Sequence, residues 1–330
     1  MTQPNLQSAQ PPASTAQEDR EQLGGGKLFI IALRCGRLAN RLSLFANFIA
    51  LAEEQGHRVI NFTFHSYAHM FETTRRDIYC QYPPPTRRSW MDTIPGVAAA
   101  LRRTRILYHA VRATGVLNEK FPVFGGRVVT LRERPRQNVT ALEGPEVQEP
   151  IRDAKVVFVH GFHFRAPNWM ERHAEKIRAY FRPIEQHDRA SREAVDRLRQ
   201  QADVVVGVHI RRGDYANWSG GKYFFPVSRY AAWMQEMAGQ FPGRRVAFLV
   251  CSNEPRRAEE FGGLSVGIAA GVPVEDLYAL ARCDYLLGPL SSFTQWASFY
   301  GGKPLFHLRS PNDRIERERF RVCRFDEVPT

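Results

Sequence analysis

From Asp203 to the end of the chain, short apolar runs alternate with amphipathic helical segments, and this alternation narrows the fold more than any other feature of the 330 residues. Strands are expected at 204–210, 245–250, 284–288 and 304–307, with helices at 227–240, 274–282 and 293–300 between them. Such alternation with short links predicts a doubly wound parallel sheet. An earlier β-α-β unit is expected from an apolar strand at 28–33, a helix at 40–55 and a strand at 58–64. A further strand is expected at 156–160, followed by helices near 169–181 and 187–201. Residues 66–150 show no such order; a helix is expected only around 95–114.

The first strand of the second half ends in His209-Ile210-Arg211-Arg212-Gly213-Asp214-Tyr215. In open α/β sheets, ligands collect at the carboxyl ends of strands. A guanidinium fork there offers fixed donors to phosphate oxygens. The alternative is an exposed strand end whose arginines pair with nearby acids. A second strand end follows at Pro289-Leu290-Ser291-Ser292, where a helix starts from Phe293. Hydroxyls and free N–H groups at a helix start suit an anion, although a serine there is equally an N-cap. Together the two strand ends predict a nucleotide site on His209, Arg211, Arg212, Asp214, Ser291, Ser292 and Phe293.

These segments resemble a known family. The block His209–Tyr215 is similar to the first signature of the fucosyltransferases that make α1,2, α1,6 and protein O-linked fucose. Asp276-Leu277-x-x-Leu280-x-x-Cys283-Asp284-Tyr285 and Ser291-Ser292-Phe293-Thr294-Gln295-Trp296-Ala297 resemble the late signature of the α1,2 branch, glycosyltransferase family 11. Gly36-Arg37-Leu38-Ala39-Asn40-Arg41 resembles the glycine-rich strand-to-helix turn that opens those enzymes. The chain departs from the pattern at Ala39 and Arg41, where the branch has Gly-Asn-Gln, and at Ser252-Asn253-Glu254, where it has Ser-Asp-Asp.

The resemblance implies a GT-B-like α/β architecture, with two Rossmann-type domains facing across a cleft. The expected division is a disordered tail at 1–26, an acceptor-side domain at 27–185 with an irregular insert, and a nucleotide-sugar domain at 186–330. It also implies an inverting transfer of fucose from GDP-fucose to a glycan hydroxyl, with no cofactor and no metal; no Asp-x-Asp stands where a nucleotide-bound cation would be expected. Arg211 is expected to meet the diphosphate, with Asp214 beside it. Asp276 matches the acid that reads guanine in the α1,6 enzymes, and Glu275 is its competitor; both acids equally suit a helix start. Arg37, Asn40 and Arg41 are expected to contact donor or acceptor from the opposing turn. Another nucleotide sugar as donor, or a binding protein without turnover, remains open.

Composition bears on partners. The formal net charge of +12 is carried almost wholly by arginine, since only Lys27, Lys120, Lys155, Lys176, Lys222 and Lys303 are lysines. Arginine-biased coding explains this without any function. Clusters at Arg75-Arg76, Arg87-Arg88, Arg102-Arg103-Arg105 and Arg132-Arg134-Arg136 alternatively suit an anionic membrane face. No interleaved aromatic stacking motif supports nucleic acid. The five cysteines have no metal-ligand spacing, and with no secretory leader pattern at the start a reducing, cytoplasmic setting is expected, peripheral on the inner membrane face at most. The triplets at Asn61, Asn138 and Asn217 then carry no glycan.

Overall fold

The computed structural model describes residues 26–87, 89–94, 96–121, 125–133 and 139–325. The expected tail lies outside them apart from Gly26, as do Arg88, Arg134, Arg136 and Asn138.

Two five-stranded sheets carry the fold. The first contains β1 (Leu28–Ile31), β2 (Arg58–Ile60), β3 (Gln81–Tyr82), β4 (Val128–Arg132) and, beyond the short β5 (Thr140–Ala141), β6 (Val156–His160). Its order is β3-β2-β1-β6-β4, parallel except for β3. After β7 (Phe164–Arg165), which pairs with β5, the second sheet contains β8 (Val204–Ile210), β9 (Val246–Ser252), β10 (Ser265–Ile268), β11 (Tyr285–Pro289) and β12 (Leu305–Leu308). Its order is β10-β9-β8-β11-β12, and every pair is parallel. β8 is buried along its whole length, which is why its sequence is apolar at every position but His209 rather than alternating. This is the expected pair of Rossmann-type sheets, in a GT-B-like arrangement.

The helices that matter for the cleft are α1 (Leu38–Gln55), α2 (Trp90–Thr93), α3 (Val97–Thr104) and α4 (Ile106–Lys120) in the first half. α5 (Pro145–Ile151), α6 (Pro167–Arg172), α7 (Ala174–Tyr180) and α8 (Glu185–Arg199) lead to the second sheet, followed by α9 (Val227–Gly239), α10 (Pro273–Leu280) and α11 (Ser292–Gly301). α1 and α11 pack against each other, so the two halves meet through the helices that follow β1 and β11. One apolar cluster runs from Phe29 and Phe45 through Tyr180 and Phe181 to Tyr278 and Trp296. The Phe181 ring lies edge-on to Trp296 with centroids 5.2 Å apart, and the Tyr278 hydroxyl donates to the Phe181 carbonyl at 2.6 Å.

Several expectations need correction. The strand expected at 58–64 stops at Ile60, and Phe62–Ser66 forms a 3₁₀ turn. Thr63 donates to Asn61 Oδ1 at 2.6 Å, a local bond that favours a turn over a ladder. The single helix expected near 95–114 is two helices split at Arg105, which stands at φ 55°. The region 66–150 also holds β4 and α5, and the edge strand β10 was not foreseen.

Candidate functional site

The carboxyl ends of β8, β9 and β11 face the turn between β1 and α1 across a cavity of about 420 Å³. That volume falls in the usual range for a small-molecule site. From the second half its wall includes His209, Arg211, Asp214, Asp276, Ser291, Ser292 and Phe293; from the first it includes Arg37 and Asn40. Nine of the eleven residues singled out in the sequence therefore share one cavity.

Arg211 leaves the end of β8 and is held by its own neighbours. Its guanidinium donates to Asp214 Oδ2 at 2.6 Å and lies 5.5 Å from the centre of the Tyr215 ring. Its Nε–H is buried with no partner among the described residues, a donor that a bound anion would satisfy. Asp214 is half exposed, so it orients the arginine without being itself enclosed.

The loop carrying these groups is fastened from β9. Asn253 accepts from the Arg212 N–H at 2.9 Å and donates to the Arg212 carbonyl at 3.3 Å. Glu254 accepts from the Gly213 N–H at 3.0 Å. The Tyr215 hydroxyl donates to the Leu290 carbonyl at 3.0 Å, tying the loop to the end of β11.

His209 is buried with its ring 4.8 Å from that of Phe293, nearly parallel. Burial pushes its pKa down to about 3, and the neighbouring Arg211 acts in the same direction, so the imidazole is neutral at pH 7. The start of α11 is capped from within. Ser291 accepts from the Phe293 N–H at 3.2 Å, so one of the free N–H groups expected there is already used. Ser292 spans the cleft by donating to Asn40 Oδ1.

Asp276 lies in the first turn of α10 and is only 6% exposed. Its Oδ1 accepts from the Gly271 N–H at 3.2 Å. Burial raises its pKa from 3.8 to about 6, against the lowering effect of that hydrogen bond. Glu275 is engaged elsewhere, 2.9 Å from His187 Nδ1, so of the two competing acids only Asp276 lines the cavity.

Two of the expected residues do not line it. Arg41 lies behind the wall and is 2% exposed. It donates to the Thr63 carbonyl at 2.8 Å and the Gly36 carbonyl at 3.1 Å, with its guanidinium 4.9 Å from the Tyr67 ring centre. It braces the turn instead of reaching into the cleft. Arg212 turns away to the Phe225 carbonyl at 2.8 Å, to Glu254 at 3.4 Å and over the Phe224 ring at 4.2 Å. Sequence reasoning missed Tyr67, Phe162 and Trp218 as wall residues. Tyr67 and Phe162 carried no motif, whereas Trp218 lies only three residues beyond the His209–Tyr215 block. Among the described residues no three His, Cys, Asp or Glu side chains gather as a metal would require.

Gly36 makes the opposing turn possible. It adopts φ 50°, and a Cβ there would stand 1.9 Å from Asn40 Nδ2. Gly36→Ala is expected to lower stability by about 1–2 kcal/mol through the left-handed backbone alone, before the displaced Asn40 is counted. Denaturant unfolding of the two proteins measures it, and equal midpoints would remove the constraint assigned to this turn.

The chain is similar to known proteins in sequence and in fold. Over 142 residues the chain is 27% identical to galactoside alpha-(1,2)-fucosyltransferase 2 of Mus musculus, a match that takes in 37% of this chain and 39% of that protein. The chain thus spans about two-fifths of the length of that curated relative. A mutant of Arabidopsis thaliana FUT1 solved in complex with GDP superposes with a TM-score of 0.51 at 14% identity, covering 94% of this chain and 78% of that one, which shows a common fold. The model of glycosyl transferase family 11 matches residues 159–319, just under half of the chain, and that segment, which holds Arg211, Asp214, Asp276 and the Ser291–Phe293 turn, is similar to glycosyl transferase family 11.

Proposed function

We propose that the cleft binds GDP-fucose and transfers fucose to a glycan hydroxyl, in an α1,2 linkage, by a single inverting displacement that needs no metal. The observation that carries this reading is the convergence of three recognition elements on one cavity: a buried carboxylate, a pre-oriented guanidinium and a helix start. Guanine presents an N–H and an amino group side by side, and the Asp276 carboxylate can accept from both. Adenine and the pyrimidines lack that pair. Arg211 and the first turn of α11 would face the diphosphate, whose charge grows as the sugar leaves. The names of the relatives support the donor assignment, since one is an α1,2-fucosyltransferase and another was solved with GDP.

Arg37 and Asn40, at the start of α1, face this donor side and would supply the acceptor wall. A glycan hydroxyl entering there would attack C1 of the β-linked donor from the face opposite the diphosphate. That in-line geometry inverts the configuration.

Thermal shift with GDP, UDP and ADP tests the base preference, because a ligand bound only by the native state raises its melting temperature. GDP is expected to stabilise most. Mass analysis of products from GDP-fucose and a panel of glycan acceptors then tests transfer. Stabilisation by GDP with neither hydrolysis nor transfer would replace the enzyme by a binding protein, and preference for UDP would discard the donor.

Metal independence has its own test. A diphosphate leaving group is neutralised either by a divalent cation or by fixed positive groups. With Arg211 and α11 in that role, full activity is expected to persist in excess EDTA. Activity that vanishes in EDTA and returns with manganese would overturn this part of the reading.

A further inference from the structure

Of the eight exposed large hydrophobic side chains among the described residues, five lie between residues 90 and 121: Trp90, Ile94, Ile106, Leu117 and Phe121. They are arranged, not scattered. Ile106, Ala110, Ala113 and Leu117 recur at spacings of four and three along α4, all exposed, and Phe121 continues the line just beyond its end. Trp90 opens α2 and Ile94 follows its last residue, and both side chains are exposed.

The opposite side of α4 is fastened to the first sheet. Asn118 donates to the Val128 carbonyl at 3.0 Å, Thr130 donates to the Gly115 carbonyl at 3.2 Å, and a Cβ on Gly115 would meet His160 and Phe158 at 3.0–3.3 Å. The helix therefore cannot roll to bury its apolar stripe. Something outside the described residues must cover it, or it stays wet.

Charge identifies the cover. The stretch 87–121 holds seven arginines and lysines against two acids. Both acids are already neutralised, Asp92 by Arg102 at 3.8 Å and Glu119 by Arg132 at 2.5 Å. Arg103, Arg105, Arg112 and Lys120 are exposed and form no ion pair among the described residues. A second copy meeting this face through a two-fold axis would set like charges against each other. An anionic lipid surface would satisfy both features at once, with the stripe and the two aromatic rings at the acyl boundary and the basic groups among the headgroups. We propose that α2, α3 and α4 form a membrane-docking face for anionic bilayers, independent of what the cleft binds.

Co-sedimentation of the full chain with phosphatidylcholine vesicles, with and without phosphatidylglycerol, tests this. Binding is expected only with phosphatidylglycerol, and it should weaken as salt rises. Leu117→Ser with Phe121→Ser should reduce the partition by about tenfold or more through lost apolar burial. Arg103→Gln, Arg105→Gln and Arg112→Gln should each reduce it by about fivefold. All five positions are exposed, so circular dichroism and melting temperature are expected to stay at wild-type values, separating lost docking from lost folding. No binding to the anionic vesicles, or equal binding by wild type and the Leu117/Phe121 variant, overturns the proposal. So does a dimer in sedimentation velocity that this variant dissociates, because it would make a second copy the occupant.

Discussion

Replacing Arg211 by alanine, and nearly as much by lysine, is expected to lower the transfer rate by about 10²–10³ while the fold survives. The loss follows from how the side chain is held. Asp214 takes one end of the guanidinium at 2.6 Å, the Tyr215 ring lies 5.5 Å from its carbon, and its buried Nε–H has no partner among the described residues. The group is fixed where charge would develop, and fixed donors stabilise a departing diphosphate without reorganising at the moment of reaction. A lysine supplies the charge as a single flexible point and cannot reproduce the fork. Arg211 lies beyond the last residue of β8, so no ladder hydrogen bond depends on it. The contrast is Arg212, whose contacts to the Phe225 carbonyl, Glu254 and Phe224 are internal. Arg212→Ala should lower the melting temperature more than Arg211→Ala does. Initial rates with GDP-fucose, read beside melting curves, separate the two arginines. Wild-type turnover in Arg211→Lys would remove the phosphate role.

The second sheet was legible because its strands are buried on both sides and therefore written as continuous apolar runs. β10 escaped because Ser265-Val266-Gly267-Ile268 is an edge strand, part exposed, with no apolar run to mark it. β4 was hidden in a stretch where the periodicity is broken by arginines and prolines. The break at Arg105 has no sequence signature at all, since a left-handed arginine is neither glycine nor asparagine. Phe62-Thr63-Phe64 alternates like a strand, yet the Asn61–Thr63 bond turns it. In the site, the strand-end arginines and the serine turn could be found because backbone topology decides where they stand. Side-chain direction could not be read so easily, although Arg41 did leave a trace. It stands next to Leu42 and four residues before Phe45, both fully buried, a spacing that sets it on an apolar helical face. The Asn253 and Glu254 departures are explained in part, as both side chains hold the backbone of the Arg212–Gly213 loop.

Asp276→Asn is expected to make the empty protein more stable at neutral pH and a worse binder of GDP. The carboxyl is almost fully buried, and burial raises its pKa from 3.8 to about 6. A folded-state pKa above the unfolded value means that the protonated form is the one the fold favours. That contribution is complete below pH 3.8 and is lost as the pH rises through 6, leaving a buried charge at neutrality. The difference corresponds to about 3 kcal/mol, taken as an order of magnitude. Asparagine keeps an oxygen for the Gly271 N–H and removes the charge. The variant should therefore melt higher than wild type above pH 6, with the gap closing toward pH 4. Guanine binding runs the other way, because the carboxylate must be ionised to accept two N–H groups. Wild-type affinity for GDP should fall below about pH 6, whereas the variant should lose about 1.5–3 kcal/mol at neutral pH and show little pH dependence. UDP affinity should be nearly the same in both proteins. Calorimetry with GDP and UDP, paired with melting curves from pH 4 to about pH 8, reads both effects from one pair of proteins. Equal losses for GDP and UDP would make Asp276 a structural acid, and no gain in melting temperature at neutral pH would mean that its charge is not held against the fold.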